Sequence, residues 1–253
     1  MNQTEWKKFN AARERFRHIT KEIERSLPKL KKIQQKFADS RSGAKNAAYT
    51  VETPVVYNTA LDDITINNEI KLILVADNPG RREQAAENRR YLVGPSGKIA
   101  QKFFRDNPSF GIDFLKNVII LNKTPIHSPR TAELSLLCGI EEETGGNSIA
   151  RALESSQKNM ADLLLEFHEA LNTQVWITGY SEMKKGGIFE VYTGRLKELY
   201  ADKPELYKQI FFFRHFSMNQ FTIDLKKQAI DGETTAKTLN RIGRAYRKRI
   251  LGL

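Results

Sequence analysis

The sequence predicts a three-layer α/β/α fold with a central, mainly parallel four-stranded sheet, and with basic helices at both ends of the chain. Four short runs of branched and aromatic residues are strand-like, and the helical patterns between them are long enough to act as crossovers. The 253 residues, 40% hydrophobic and 28% charged, suffice for one large α/β domain with its own core. Positive charge is concentrated at the two ends of the chain.

The first segment has the period of an amphipathic helix that stops near Pro28, because its apolar residues recur at spacings of three, four or seven. Its basic residues are either the solvated face of a packed helix or a face that follows a phosphate backbone. We name as candidates for nucleic-acid contact Lys7, Lys8, Arg13 and Arg17. A polar linker is expected over residues 40–46.

The predicted strands cover residues 70–76, 118–121, 174–178 and 209–213. Helices are predicted around 97–105, 149–170 and 188–199, and the tail, 225–253, is predicted to be a basic helix packed on the same domain. The chain is thus divided into a basic helical extension (1–45), an α/β domain (46–223) and a basic C-terminal helix (224–253).

The net charge of +11 indicates a polyanionic partner. Residues 1–45 carry 13 Lys and Arg against 5 Asp and Glu, residues 46–223 carry 20 against 22, and residues 224–253 carry 8 against 3. We expect this partner to be single- or double-stranded DNA, bound by a cytoplasmic monomer without a membrane segment. Because Cys138 is the only cysteine, neither an iron–sulfur cluster nor a thiolate metal site is expected. No spacing of His, Cys and Asp suggests a zinc site, and no cofactor is expected.

Polar side chains follow three of the predicted strands. Asp77 and Asn78 come after the first strand, Asn122 after the second and His215 after the fourth. Each alone is more typical of a turn, a helix cap or a packed side chain. In doubly wound sheets, however, ligands bind beyond the carboxyl ends of the strands, so the joint placement favours a site. A carboxylate, two amides and an imidazole suit cleavage of a bond that leaves charge on both fragments.

Four segments resemble, in order, the motifs of the uracil-DNA glycosylase superfamily. Residues 75–80 (VADNPG) and 91–98 (YLVGPSGK) are similar to the family's first turn and to its Phe-Val-Gly-x-x-Gly helix opening. Residues 118–122 (VIILN) resemble the strand whose final asparagine reads uracil, and 215–217 (HFS) resembles the late His-Pro-Ser motif. The resemblance covers roughly residues 48–223 and leaves out both basic ends.

The resemblance implies a DNA glycosylase that hydrolyses the N-glycosidic bond of uracil or a related damaged base. Asp77, or a water held by Asn78, would meet the positive charge on the sugar, and His215 the negative charge on the departing base. Asn122 would read the Watson–Crick edge of a flipped base, with Leu92 or Tyr91 as its platform. The residues implied in holding the DNA backbone are Gly94, Ser96, Gly97, Lys98 and Ser217.

The sequence departs from the family pattern at Ala76, Leu92 and Phe216, where the family has Gly, Phe and Pro. An acid in the second turn position and an asparagine in the third leave open which of the two is the principal catalytic group. We expect the acid to contribute more, because only a carboxylate brings charge to the cation. Two other hypotheses remain: a protein of the same fold that binds nucleic acid without cleaving it, and an enzyme acting on a free nucleoside or nucleotide. The basic ends argue against the last, since a small substrate does not need them.

Overall fold

The computed structural model describes residues 1–40, 49–142 and 146–252, so most of the predicted 40–46 linker lies outside the described residues. The strands are β1 (Leu72–Ala76), β2 (Val118–Asn122), β3 (Gln174–Thr178) and β4 (Ile210–Phe213). The helices are α1 (Gln3–Ser26), α2 (Leu30–Ser40), α3 (Pro95–Asp106), α4 (Glu133–Glu142), α5 (Ser148–Leu171), α6 (Glu190–Tyr200), α7 (Pro204–Lys208), α8 (Gln220–Lys227) and α9 (Thr235–Leu251). None of these helices is both long and apolar enough to cross a membrane.

The four strands form one sheet in the order β2-β1-β3-β4, and every pair is parallel. The predicted three-layer α/β/α fold is therefore confirmed, with strand boundaries within two residues of those expected. Nearly every strand residue is buried, which is why the strands appear in sequence as continuous apolar runs. The chain moves outward from β1 to β2 and then returns past β1 to β3, so the order reverses between β1 and β3. Such a switch point opens a crevice at the carboxyl ends of the two strands.

Helices cover both faces of the sheet. On one face, Trp176 of β3 packs against Phe104 of α3, with ring centroids 5.4 Å apart, and against Phe213 of β4 at 5.0 Å. Phe221 of α8 packs on Phe213 at 5.4 Å. The helix α5, which contacts β2, carries the buried Phe167, against which Phe9 of α1 packs at 5.2 Å.

The basic N-terminal segment forms the predicted amphipathic helix. Asn2 and Glu5 form a capping box that satisfies free backbone N–H groups at the start of α1. The helix ends at Ser26, just before Pro28, and its apolar side is packed on α5.

The C-terminal segment differs from the single helix that the sequence predicted. Between α8 and α9 the chain turns through Gly232, which has a left-handed φ of 77°, and Thr234 caps α9 with its side-chain oxygen. The helix α9 packs directly on β4 at Gly243. A Cβ at that position would stand 2.7 Å from the Cβ of Phe211, so only glycine permits this approach.

Candidate functional site

A cavity of about 690 Å³ opens at the carboxyl ends of the strands, at the switch point between β1 and β3. Seven of the residues singled out from the sequence line it: Asp77, Asn78, Leu92, Gly94, Ser96, His215 and Ser217. They come from three segments: the turn after β1, the loop that leads into the first turn of α3, and the turn after β4. The structure thus brings the three proposed catalytic residues to one cavity.

The other predicted residues of the domain lie outside that lining. Tyr91 is buried, and its hydroxyl donates to the carbonyl of Val56 at 2.6 Å. Gly97 packs closely on the main chain of Leu92, and a Cβ at this position would overlap the Leu92 carbonyl oxygen. Lys98 is exposed on the side of α3 away from the cavity lining.

Asp77 is held by a buried cation that sequence reasoning missed. The Nζ of Lys123 donates to Asp77 Oδ1 at 2.5 Å and to the Thr178 carbonyl at 2.6 Å. Lys123 is fully buried, and burial lowers the pKa of its ammonium group, although the Asp77 carboxylate acts in the opposite direction. The second carboxylate oxygen of Asp77 accepts from Thr131 Oγ1 at 3.0 Å. Both oxygens are therefore fixed, and the carboxylate cannot rotate freely in the cavity.

Gly179, directly after β3, makes room for this carboxylate. Its φ is 75°, and a Cβ there would overlap Asp77 Oδ1. The residue lines the cavity next to Asp77. A side chain at this position would displace the carboxylate from its two donors.

Asn78 is oriented by the segment after β2. Its Nδ2 donates to the Ser128 carbonyl and to Ser128 Oγ, both at 3.0 Å. The Ser128 Oγ donates in turn to the carbonyl of Arg130 at 2.8 Å, so it accepts from Asn78. This fixes the amide with Nδ2 toward Ser128 and leaves Oδ1 without a partner among the described residues. The group is arranged to accept a hydrogen bond from a water or a ligand.

His215 is held as a neutral donor. The backbone N–H of Ser217 donates to its Nδ1 at 3.0 Å, so the proton of the neutral ring lies on Nε2. Burial is the largest influence on the imidazole and lowers its pKa; Lys123 acts in the same direction and Asp77 opposes it. At neutral pH the ring therefore offers an N–H to an acceptor in the cavity.

Leu92 stands in a strained conformation that a buried carboxyl supports. Its φ is 53°, in the left-handed region that a branched side chain rarely adopts. Glu83 accepts the N–H of Leu92 at 2.8 Å through one oxygen and the N–H of Gly80 at 3.0 Å through the other. Burial raises the pKa of Glu83 to about 7, and its two backbone hydrogen bonds oppose that rise. Glu83 and Gly97 together hold the wall of the cavity that Leu92 forms.

Asn122 is buried, and both polar atoms of its side chain lack partners in the described part of the chain. It is paired in register with Ala76, so the two side chains lie on the same face of the sheet, and Ala76 lines the cavity. The Asn122 amide thus lies on β2, next to the part of the cavity wall that Ala76 of β1 forms. Such an unpaired amide costs stability and calls for an explanation.

Comparison with known proteins identifies no relative of this chain. No protein-family model, curated protein or solved structure matches the chain. The resemblance to the glycosylase superfamily therefore rests on the three short motifs alone.

Three arginines line the cavity: Arg81, Arg82 and Arg130. The guanidinium of Arg81 lies over the ring of Tyr49, 4.8 Å from its centroid. These cations come from the nearly neutral middle of the sequence, so a count of charge by segment could not find them. Three carboxyls, those of Asp77, Glu83 and Glu182, line the same cavity, so the arginines offer local contacts to a phosphate without giving the lining a net positive charge.

The basic residues proposed on α1 fall into two groups. Lys7 and Lys8 are exposed. Arg13 is largely covered, because it lies over the Trp6 ring at 5.7 Å and donates to the carbonyl of Leu61 at 3.2 Å. Arg17 pairs with Asp62 at 2.6 Å and lies over Tyr57. The two lysines are free to meet a phosphate backbone, whereas the two arginines tie α1 to the domain.

Within residues 1–40, 49–142 and 146–252, no group of three or more His, Cys, Asp and Glu is placed to hold a metal ion. The cavity combines a fixed carboxylate, an amide acceptor and a neutral imidazole donor. Such a set can hold a water, stabilise a nearby positive charge and donate to a developing negative charge.

Proposed function

We propose that this protein is a DNA glycosylase that hydrolyses the N-glycosidic bond of uracil or a related damaged base. The observation that carries the proposal is that Asp77, Asn78 and His215, drawn from two distant segments, line one cavity with complementary capacities. The Oδ1 of Asn78 accepts a hydrogen bond from the attacking water, and the charge of Asp77 stabilises the cation forming on the sugar. His215 donates Nε2–H to the base oxygen as the bond breaks.

The surroundings of the cavity support a base that leaves the helical stack. Met218 is 77% exposed beside His215 and has a left-handed φ of 51°. An exposed apolar side chain on the rim can fill the gap that a flipped base leaves. Phe221, three residues further along the chain, is buried against Phe216 with centroids 4.4 Å apart, so it cannot take this role.

Recognition of the base is assigned to Asn122. The unpaired amide next to Ala76 can donate to a base carbonyl and accept from a ring N–H, a pattern that fits uracil and rejects cytosine. Asn122 is buried and does not line the cavity, so its two unsatisfied atoms gain partners only if the bound base displaces the wall at Ala76.

The test is release of uracil from single- and double-stranded oligonucleotides that carry one uracil, detected by alkaline cleavage at the abasic site. Asn78→Ala should lower the single-turnover rate by about 10²- to 10⁴-fold, as for a group acting in the transition state. Asn159→Ala, which removes an amide from α5 away from the cavity, is the matched control and should leave the rate unchanged. No product from either strand form, with enzyme in excess, would overturn the proposal.

A second candidate is binding of nucleic acid without cleavage. It is favoured by the fact that both Asp77 oxygens are already occupied, by Lys123 and Thr131. Tight binding of the uracil oligonucleotide with the base still attached would support this alternative.

A further inference from the structure

A second cavity lies next to the candidate site. Its volume is about 500 Å³, and it shares Met218 and Gln220 with the first cavity. We call it the C-terminal groove and define it by five of its lining residues: Tyr180, Arg214, Lys227, Tyr246 and Arg249. The exposed Met218 forms the ridge between the two cavities.

The groove collects positive charge from three separate elements. Arg214 follows β4, Lys227 ends α8, and Arg249 lies near the end of α9; all three are exposed. Lys227 and Arg249 form no ion pair with any residue that the structure describes, and the Nε of Arg214 is 3.5 Å from Asp224. Asp224 is the only acidic residue in the lining, so the groove keeps a net positive charge.

Aromatic rings hold two of these cations, Arg214 and Arg249, in place. Tyr180 and Tyr246 stack with centroids 4.2 Å apart, and the Tyr246 hydroxyl donates to Asp224 at 3.0 Å. Arg249 lies 5.6 Å from the centroid of Tyr246, and Arg214 lies 5.8 Å from that of Tyr180. Both tyrosines are buried, so they orient the guanidinium groups and offer no open face on which a base can stack. The ligand that fits is a row of phosphates.

We propose that the C-terminal groove binds backbone phosphates of the same nucleic-acid strand whose base enters the first cavity. The strand crosses the Met218 ridge and continues along Arg214, Lys227 and Arg249. The identity of this strand rests on the proposed function, but the binding itself is measurable without any base release. The basic C-terminal segment thereby has a defined point of contact beside the site.

The test compares two variants that lose the same charge. Lys227→Gln with Arg249→Gln removes two groove cations, whereas Lys226→Gln with Lys248→Gln removes two exposed lysines from the same helices outside the groove. The probe is a uracil-free single-stranded oligonucleotide, whose affinity is measured by fluorescence anisotropy over a range of salt concentrations. The groove variant should flatten the log–log slope by about 1.4, at about 0.7 for each phosphate that is no longer neutralised on a single strand. Equal slopes in the two variants would overturn the proposal.

Measuring uracil release beside the salt slopes separates this inference from the proposed function. Uracil release by the unsubstituted protein, together with equal salt slopes in the two variants, overturns the groove alone. A flattened slope in the groove variant, together with no release by any form of the protein, supports the groove and overturns the glycosylase. Failure of the unsubstituted protein to bind the oligonucleotide at low salt overturns the groove, whereas the glycosylase is overturned only when neither strand form releases uracil.

Discussion

Replacing Lys123 by methionine tests whether the buried ion pair organises the site. Methionine has nearly the same length and leaves no cavity, but it removes the donor to Asp77 and to the Thr178 carbonyl. The carboxylate, 8% exposed, keeps only the hydroxyl of Thr131. Removing one partner of a buried pair costs about 3–5 kcal/mol, because the other charge remains buried without compensation. We expect the free energy of unfolding of Lys123→Met to fall by that amount.

The matched changes are Asp77→Asn and the double variant. Asp77→Asn should cost less, since the ammonium of Lys123, whose pKa burial already lowers, can lose its proton. The double variant removes both charges, so its loss of unfolding free energy should be about 2 kcal/mol smaller than the sum of the two single losses. Urea unfolding followed by circular dichroism measures all three, and Lys197→Met on the exposed side of α6 is the control, expected within about 0.5 kcal/mol of wild type. A loss below about 1 kcal/mol for Lys123→Met, or additive costs, would refute the reasoning.

The remaining predictions concern pH and the basic helix. The lowered pKa of His215 predicts that the acid-side midpoint of single-turnover base release lies below pH 6.5, because protonation of Nδ1 breaks the hydrogen bond from Ser217 that holds the ring; a midpoint above pH 6.5 contradicts a neutral donor. Because the pKa of Glu83 rises from 4.5 in the unfolded chain to about 7, its contribution to stability is greatest at acid pH and is lost as pH rises through 7. Between pH 5 and 7.5, the free energy of unfolding of Glu83→Gln should therefore fall by about 2 kcal/mol less than that of wild type. Urea unfolding of both proteins at each pH measures this difference, and the pH dependence that the buried histidines contribute is the same in both and drops out. Lys7→Gln with Lys8→Gln should flatten the salt dependence of DNA binding without loss of stability, whereas Arg13→Gln should lower stability by about 1–2 kcal/mol; the opposite pattern would reverse these roles.

The sheet and the positions at its edge could be predicted because both depend on local pattern. Fully buried parallel strands are apolar throughout, and their carboxyl ends meet at one edge, so Asp77, Asn78 and His215 were expected together. Local pattern says nothing about partners distant in sequence. A lysine directly after a strand looks solvent-exposed, and only the fold reveals that Lys123 meets a carboxylate 46 residues earlier. Glu83 was missed for the same reason, since its burial depends on how the loop before Leu92 folds back.

The position of the Lys123 ammonium also bears on how the sheet assembles. It extends from the end of β2 and requires oxygens from the ends of β1 and β3. A misfolded sheet with β3 beside β2, or with β2 shifted by one residue, would bury this charge without its carboxylate. Such pairings are penalised by several kcal/mol, while apolar contacts alone would tolerate many arrangements of these similar strands. The buried charge of Lys123 therefore selects among strand orders during folding, before any ligand arrives.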